Sequence, residues 1–445
     1  MHSRTFFLLA VLVGAMFFGI VVLIDNNYLF FAGYVVLQFI VLATAWNILG
    51  GYCGYVNFGS AAFFALGAYT AVAIHKFWPM PIPVLIIAGG IISGIVGFGM
   101  GYLTLRLRGA FFAIATLAMA VVLQTLITNW DFVGGSRGAY VIRPNTVPVI
   151  DAYIQWPYIQ YLFFLMLVLA VVAVTTARLI ERSRLGFGFA TIRDDELAAE
   201  ASGVPTLRLK LIATTVSGAL MGMAGAPFPY YIGYIQPTSA FGLEYAVNSI
   251  AMPMIGGTTS WIGPLVGAVL LGSLQQIATV TISSAVNLLI VGLLLVDFVI
   301  IAPHGIVGLI QERRTASDMM AQPAVFVLLY VLNLLPVYFL AGQGQGAQLI
   351  GLVFWAILLF VAYTRGRLIG RTWLVVFPVI GAAFNLIPVT NATPLISTLV
   401  AWSEAALWVP VDAKTVIAFL STLIQIVGII CGLASERRFS ETATT

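Results

Sequence analysis

The sequence predicts an all-α polytopic membrane protein in which glycines break some of the helices. Hydrophobic residues make up 61% of the 445 residues and charged residues only 8%, whereas about a quarter of the residues in soluble domains are charged. Apolar runs long enough to cross a bilayer, at about 1.5 Å per helical residue, follow one another along most of the chain. We therefore expect about 10 spans in a first module and about 4 in a second.

The first apolar run, residues 6–24, has two interpretations. A signal peptide is one, but the apolar core exceeds the roughly 7 to 15 residues of such signals and no A-x-A cleavage site precedes Asp25. A retained membrane anchor is therefore favoured. The later spans of the first module are predicted at about 28–49, 58–74, 83–104, 110–128, 158–178, 209–230, 246–278 and 284–302, with a break near Gly256–Gly263.

The polar stretch 311–323 predicts the boundary between the two modules. We expect a first module over 1–314, a cytoplasmic linker over 315–323 and a second membrane module over 324–445, for which no motif indicates a role. The four spans of the second module are predicted at about 324–341, 348–363, 372–390 and 414–433. If both termini are cytoplasmic, the positive-inside rule is well obeyed, because few basic residues then fall outside. Those residues are Lys76, Arg137, Arg143 and Lys414.

The longest polar interruption of the first module is the loop 181–210. Basic residues crowd this loop and its flanks, which places it on the cytoplasmic side. Its centre, Thr191–Ser202, is predicted to be one short helix, because the acidic residues at 194–196 suit the positive end of a helix dipole. Gly203 and Pro205 are expected to end that helix. A capped, charged helix of this kind suits docking of a soluble partner, and a solvated loop that only connects two spans is the alternative.

Several functional classes find no support in the sequence. None of the three lysines follows a glycine, so the G-x-x-x-x-G-K-[ST] phosphate loop of an ATPase is absent. The three histidines are far apart and the two cysteines, Cys53 and Cys431, lie in or beside apolar segments, so no metal or nucleophile cluster is visible. The net charge of +4 is explained by basic cytoplasmic loops and not by nucleic-acid binding. Translocation of a solute across the membrane is therefore the expected class of function.

Two Gly-rich stretches, 50–59 and 256–263, are candidates for the translocation path. Broken helices are tolerated in a membrane only where the freed backbone groups are buried in protein or line a wet cavity. Close helix packing is the alternative, because it also favours glycine. Polar residues beside these stretches are expected either to bind a polar solute or to bond to a neighbouring helix. They are Asn47, Asn57, Ser60 and Thr116.

Two carboxylates lie in or beside predicted spans. Asp297 is an ionisable residue within an apolar run, which makes it a candidate path residue. The alternative is that water or an arginine at the nearby cytoplasmic end satisfies it. Glu244 lies at the start of the span predicted at about 246–278, and it is expected to stabilise the N-terminus of that helix.

Five sequence blocks together carry a family resemblance. They are GGYCGYVNFGSAAFFALGAYTA at 50–71, LRLRGAFFAIATLAMA at 105–120, GGSRG at 134–138, RLGFGFATIRDDELAAEASGV at 184–204 and MIGGTTSWIGPLVGA at 254–268. In this order they resemble the LivM-type permease subunit of branched-chain amino acid ABC transporters, over about residues 30–314. The second module is a departure from the family pattern, since such permeases normally finish near the position of Arg314.

The resemblance implies a complex in the bacterial inner membrane. Its other members would be a second homologous permease, two cytoplasmic ABC ATPase subunits and a periplasmic substrate-binding protein. The chain itself would need no cofactor, because ATP would be bound by the partner ATPases only. The outer loop 129–157 would meet the binding protein, with Arg137 or Arg143 as contacts, although a loop that only caps the outer mouth is the alternative.

The resemblance also implies that the loop 181–210 docks on an ATPase. Importers of this class share a pattern E-A-A-x-x-x-G, and here Ala198, Ala199 and Gly203 match it. Leu197 occupies the position at which the pattern has its glutamate. Glu196 is the residue directly before that position. The polar residues expected to contact the ATPase are Arg193, Asp194, Asp195 and Glu196.

Three functions remain to be compared. An ABC importer permease for branched-chain or related amino acids is favoured by the order of the motifs, and members of the same family that move urea, amides or aromatic acids are an alternative. A stand-alone secondary transporter would need coupling carboxylates near the membrane midplane, and only Asp297 comes near. A non-transporting scaffold would need neither helix breaks nor a capped docking helix.

Overall fold

The computed structural model describes residues 3–24, 26–107, 109–141, 146–150, 154–281 and 305–311, with four isolated positions beyond them. The chain divides into two units, Met1–Gln311 and Glu312–Thr445, and all of the described ranges belong to the first. Apart from the isolated positions, the predicted span 284–302, the linker 315–323 and the module 324–445 lie outside the described residues.

The described part of the first unit is built mainly from helices. The long helices are α1 (Ser3–Ile24), α2 (Asn27–Gly50), α3 (Ser60–Phe77), α4 (Ile82–Thr104), α5 (Ala110–Thr128), α6 (Tyr158–Glu181), α9 (Thr206–Gly225), α12 (Leu243–Gly256) and α13 (Ile262–Thr281). The short ones are α7 (Arg184–Asp194), α8 (Glu196–Ala201), α10 (Phe228–Ile232), α11 (Pro237–Ala240) and α14 (Gly305–Gln311).

Six helices in the described ranges are long and apolar enough to cross a membrane, namely α1, α2, α4, α5, α6 and α9 together with α10. The chain is therefore a multi-pass membrane protein, as its composition predicts. The predicted break near Gly256–Gly263 is also confirmed, because α12 ends at Gly256 and α13 begins at Ile262.

Helix α2 lies at the centre of the bundle. It is buried almost continuously from Leu37 to Leu49 and packs against α6, α9, α12 and α13. A helix that is apolar on all sides suits the core of a protein or a membrane span, and α2 is both surrounded by other helices and long enough to cross a membrane. By contrast, α1 packs on the outside against α6, and Arg178 of α6 lies over the ring of Phe6 at 3.6 Å. The beginning of α1 is therefore at the same end of the bundle as the loop 181–210.

Glycines bring α3, α4 and α9 into close contact. A Cβ atom on Gly67 of α3 would lie 2.0 Å from the carbonyl oxygen of Gly222 on α9, and a Cβ on Gly225 would lie 1.9 Å from the carbonyl oxygen of Phe64. Backbones can approach this closely only where both helices present small residues. Helix α3 begins where the Gly-rich stretch 50–59 ends, and α9 begins near the end of the polar loop 181–210, so these contacts hold one end of each segment.

Short strands are the main departure from the all-α prediction. Strand β1 (Ala139–Tyr140) pairs antiparallel with β4 (Tyr234–Ile235), and β2 (Thr146–Ile150) pairs antiparallel with β3 (Ile154–Pro157). The expectation of a purely helical fold is wrong here because the β1–β4 pair joins residues almost one hundred positions apart. Neither two-residue strand has a pattern of its own that sequence reasoning could detect.

Candidate functional site

The loop 181–210 forms two short helices and not the single helix predicted over Thr191–Ser202. Helix α7 ends at Asp194, and Asp195 adopts an extended conformation with φ −158° and ψ 108°. Its carboxylate accepts hydrogen bonds from the backbone N–H groups of Leu197 at 2.9 Å and Ala198 at 3.1 Å. Asp195 is thus the N-cap of α8, and the strong preference of aspartate for that position explains why the helix restarts there.

The predicted end of the helix at Gly203 is confirmed. Gly203 has φ +82°, in the left-handed region that favours glycine. Its N–H donates to the carbonyl of Glu200 and the N–H of Val204 donates to the carbonyl of Ala199, both at 3.0 Å. This pair of bonds is the Schellman motif, which satisfies carbonyl groups that the helix end would otherwise leave free. Helix α8 is therefore short and sharply bounded at both ends.

The residues predicted to contact an ATPase divide into an exposed set and an inward set. Arg193, Asp194, Asp195 and Ala198 are exposed, and the Arg193 guanidinium lies 3.3 Å from the carboxylate of Asp194. Leu197, which stands at the acidic position of the family pattern, is 64% exposed. Ala199 is buried and packs on the protein core.

Glu196 is directed inward, towards Lys210 of α9. The Lys210 side chain is only 3% exposed and that of Glu196 13% exposed, and the Lys210 Nζ lies 2.7 Å from the Glu196 Oε1. Lys210 also donates to the hydroxyl of Tyr55 at 3.1 Å and to the carbonyl of Leu105 at 3.1 Å. The Tyr55 hydroxyl in turn donates to the other oxygen of Glu196. We call this set of contacts the Lys210 linkage.

The Lys210 linkage satisfies the lysine completely, since an ammonium group has three N–H donors and all three have acceptors. Sequence reasoning counted Lys210 only as a basic loop residue. The available signal was its position between Leu209 and Leu211 in the first turns of an apolar helix. A lysine in such a place needs a buried partner, but its partner Tyr55 is 155 residues away in the chain.

A second carboxylate, Glu181 at the end of α6, holds the same Gly-rich stretch. Its Oε2 atom accepts the backbone N–H of Trp261 at 2.8 Å and the hydroxyl of Tyr52 at 3.4 Å. The Gly-rich stretch 50–59 therefore has two tyrosines: Tyr52 faces Glu181 at the start of the polar loop, and Tyr55 faces Glu196 near its middle. The sequence predicts the Gly-rich stretch and the polar loop as separate features, and the structure brings them together.

Gly54 is a further point at which the Gly-rich stretch touches the polar loop. It has φ +78°, and a Cβ atom on it would lie 3.1 Å from Cγ of Arg193. A cavity of about 370 Å³ opens beside this contact. Its walls come from the Gly-rich stretch, the start of α5 and α8, and consist of Gly54, Tyr55, Val56, Gly109, Ala110, Ala113 and Glu196.

Three of the predicted path residues make hydrogen bonds within the protein. The Thr116 hydroxyl accepts the backbone N–H of Phe58 at 3.1 Å, and the Asn57 side chain accepts the N–H of Gly59 at 2.8 Å. The Ser60 hydroxyl accepts from the hydroxyl of Ser249 on α12 at 2.8 Å. These contacts support the packing alternative for Asn57, Ser60 and Thr116 and bring all three to the beginning of α3.

Asn47 differs from the other path residues. It is 1% exposed, and neither polar atom of its amide makes a well-formed hydrogen bond with the described residues. The Tyr52 hydroxyl lies near it, but outside hydrogen-bonding geometry. Thr44, one turn earlier on α2, is likewise buried with an unbonded hydroxyl. Asp297, the remaining predicted path residue, lies outside the described residues.

The Gly-rich break between α12 and α13 is closely packed. A Cβ on Gly256 would lie 1.8 Å from the carbonyl oxygen of Gly263, and a Cβ on Gly267 would lie 1.9 Å from that of Met252. These distances support the packing alternative for 256–263. Glu244 lies in the first turn of α12, where a carboxylate stabilises the helix end.

The opposite end of the bundle presents tyrosines that sequence reasoning did not single out. Among the described residues, the buried hydroxyls of Tyr34, Tyr69 and Tyr230 make no hydrogen bond. Tyr34 stacks on Tyr231 with ring centres 4.3 Å apart. Arg137 is exposed at this end, and Arg143 lies outside the described residues. Buried polar groups without partners are rare in proteins.

Comparisons with known proteins identify several relatives of this chain. The LivM permease proteins of the high-affinity branched-chain amino acid transport systems of Salmonella typhimurium and Escherichia coli are 26% and 25% identical over 295 residues, covering 62% of this chain and 69% of each relative. A probable LivH permease protein for branched-chain amino acid transport from Methanocaldococcus jannaschii is 23% identical over 57% of this chain and 82% of its own length. No solved structure shows significant similarity.

The family model for the permease component of branched-chain amino acid transport systems matches residues 27–299, which is more than half of the chain. The match contains α2 to α13, the Gly-rich stretch, the polar loop and both carboxylates that join them. Multi-pass membrane architecture, helix breaks and the capped loop helices all suit a transport subunit. The chain belongs to the family of branched-chain amino acid transport permease components.

Proposed function

We propose that this chain is the transmembrane permease subunit of an ABC importer for branched-chain or related amino acids in the bacterial inner membrane. In this assembly it pairs with a second homologous permease and receives solute from a periplasmic binding protein. Two cytoplasmic ATPase subunits bind and hydrolyse the ATP. The observation that carries the proposal is the capped helix α8, one face of which is exposed while the other is bonded to the membrane helices.

The exposed face of α7 and α8 suits docking on an ATPase. Arg193, Asp194 and Asp195 offer charges of both signs, and Leu197 offers an apolar side chain that is 64% exposed beside them. Docking of a partner on this face would bury the Leu197 side chain, and removal of apolar surface from water is favourable. Because α8 is capped at both ends, the docking surface keeps its shape before the partner binds, and this lowers the entropic cost of association.

For the translocation path we propose the polar groups of the central helix α2. Asn47, Thr44 and Tyr34 are buried within the bundle, and none of them has a well-formed hydrogen bond among the described residues. An unsatisfied buried polar group costs about 1–3 kcal/mol, and a polar solute that bonds to these groups would recover part of that cost. The choice of solute within the family is assigned to the binding protein, since no described residue distinguishes leucine from a smaller amide.

Copurification tests the proposed function. The tagged full-length chain would be expressed in its native host, purified in mild detergent and examined by mass spectrometry for the proteins that accompany it. We expect two ABC ATPases and a second permease, and we expect Leu197→Glu to remove the ATPases. Glu244→Gln at the opposite end of the bundle is the control and should retain them. Recovery of the chain alone, with solute flux intact in vesicles without ATP, would favour a secondary transporter instead.

A further inference from the structure

We propose that the Lys210 linkage transmits motion of α8 to the Gly-rich stretch 50–59, and that Tyr55 is the residue that couples α8 to this stretch. The inference rests on the proposed function, because it assumes that an ATPase moves α8. It assigns a role to Lys210 and Tyr55, which neither the motifs nor the family comparison singles out. In this account Glu196 acts as the inward anchor of α8.

The linkage joins four separate parts of the chain through one cation. Lys210 belongs to α9, Glu196 begins α8, Tyr55 lies in the Gly-rich stretch, and Leu105 directly follows α4. The Lys210 side chain is almost completely shielded from water, so its contacts are weakly screened and strong. A displacement of α8 therefore moves the carboxylate of Glu196 and, with it, both the ammonium group and the tyrosine.

The surroundings allow the Gly-rich stretch to follow such a displacement. The cavity of about 370 Å³ lies directly beside Tyr55, Gly54 and Glu196, so this side of the stretch is open and not closely packed. Gly54 touches Arg193 at the end of α7, which gives α7 a second contact with the stretch. Because the ionic contacts connect the stretch to α8 and free space lies beside them, motion can pass between the two segments.

Motion of Tyr55 would reach the membrane helices through its neighbours. Asn57 receives the indole N–H of Trp46 on α2 through its backbone carbonyl at 2.8 Å, and Phe58 is bonded to Thr116 on α5. Ser60 begins α3 and is bonded to Ser249 on α12. Thus one short segment links α8 to four of the helices around the proposed path.

Tyr52 provides an internal control for Tyr55. Both tyrosines lie in the same Gly-rich stretch and both hydroxyls donate to a glutamate. However, Tyr52 reaches Glu181 at the end of the membrane helix α6, whereas Tyr55 reaches Glu196 of α8 and also receives a hydrogen bond from Lys210. Tyr52→Phe and Tyr55→Phe therefore remove the same atom, but only the second removes a contact with α8.

The first arm of the test measures coupling. The complete importer would be reconstituted in liposomes with its binding protein, and solute import and ATP hydrolysis would be measured together. We expect Tyr55→Phe and Lys210→Met to raise the number of ATP molecules hydrolysed per solute at least about fivefold. Lys210→Arg keeps the positive charge and the N–H donors, so it should retain most of the coupling. Tyr52→Phe should leave the ratio of ATP hydrolysed to solute imported within about twofold of wild type. An unchanged ratio in Tyr55→Phe would overturn the inference.

The second arm does not depend on transport. Backbone hydrogen exchange of residues 53–58 would be measured on the purified full-length chain. We expect Tyr55→Phe to speed exchange in this segment about tenfold and Tyr52→Phe to change it much less. Equal exchange in the two variants would show that the linkage does not hold the segment and would overturn the inference. A wild-type assembly without ATP-driven import would instead overturn the proposed function, whatever the exchange result.

Discussion

At the scale of single residues, burial determines the chemistry at the end of the bundle that carries the loop 181–210. Lys210 and Glu196 are largely buried side chains of opposite charge, and a hydrogen bond of 2.7 Å joins them. A buried ion pair adds little net stability compared with apolar residues, but removal of one member leaves an uncompensated charge. Cys53, which lies in the Gly-rich stretch, is also completely buried in the protein.

Lys210→Met tests the ion pair directly. Because Glu196 would lose its cationic partner, we expect the free energy of unfolding to fall by about 3–5 kcal/mol. Thermal unfolding of the purified chain in detergent measures the change. Lys76→Met is the control, since that lysine is far less buried and should cost less than about 1 kcal/mol. The double variant Lys210→Met/Glu196→Gln should recover part of the loss, and equal instability of single and double variants would speak against the pairing.

Cys53 gives a prediction for pH. Burial raises the pKa of its thiol to about 12, and the neighbouring carboxylate of Glu196 adds to the rise while Lys210 opposes it. The thiolate is the reactive form, so alkylation by a maleimide should be slow at pH 7 and still climb about tenfold per pH unit through pH 9. In a Cys431→Ser background, a cysteine placed at the exposed position of Ser202 should react quickly and level off near pH 9. Comparable rates at both sites would contradict the burial of Cys53.

At the scale of elements, glycines determine where helices end and how closely they pack. Gly203 ends α8 through its positive φ, and a Cβ there would meet no atom within 4 Å. Gly67 has the opposite property, since its conformation is ordinary but a Cβ would strike the backbone of Gly222. Thus one glycine is required by its dihedral angle and the other by its contact.

Gly203→Val tests the helix end. A branched residue in the left-handed region costs about 1–3 kcal/mol, so the end of α8 should fray and docking of the ATPases should weaken several-fold. Quantitative copurification of the ATPases measures this loss. Ser202→Val, at the neighbouring exposed position with φ −82°, should bind normally. Undiminished docking and uptake in Gly203→Val would mean that the capped end of α8 has no part in coupling.

Gly67→Ala tests the helix crossing. The added methyl group would lie 2.0 Å from a backbone oxygen, so α3 and α9 must separate and the folded protein should be lost or strongly destabilised. Gly99→Ala on α4, where a Cβ meets nothing within 4 Å, is the matched control. Yield after size-exclusion chromatography and melting temperature measure the outcome. A Gly67→Ala protein as stable as the control would contradict the close crossing.

The elements also show how far sequence reasoning extends. Long apolar runs predict α1, α2, α4, α5, α6 and α9 well, because membrane spans depend on local composition. The break between α12 and α13 and the end of α8 at Gly203 are equally local signals. The restart of the helix at Asp195 is not predicted, because all three acidic residues at 194–196 suit the positive end of a helix dipole and this preference does not show which of them is the N-cap. The β1–β4 pair was missed because it depends on contacts distant in sequence.

At the scale of the whole molecule, the described unit has one end built around charges and another built around tyrosines. The charged end contains the Lys210 linkage, Glu181 and the exposed face of α7 and α8. The sequence predicts the loop that carries this face, but not its inward partners, because Tyr55 and Lys210 meet only in the folded chain. The tyrosine end was not anticipated at all, since tyrosines are common in membrane proteins and their unbonded hydroxyls are visible only in three dimensions.

Site-specific photocross-linking in living cells would show whether the exposed face of α8 docks on an ATPase. A photoreactive amino acid at Leu197 should capture an ABC ATPase, whereas the same probe at Tyr140, which is 83% exposed beyond the far end of α5, should not. A probe at buried Ala199 should also capture no ATPase, and this control detects non-specific reaction. We expect ATPase capture from position 197 alone. Capture from no position, while solute uptake continues in cells depleted of ATP, would contradict it.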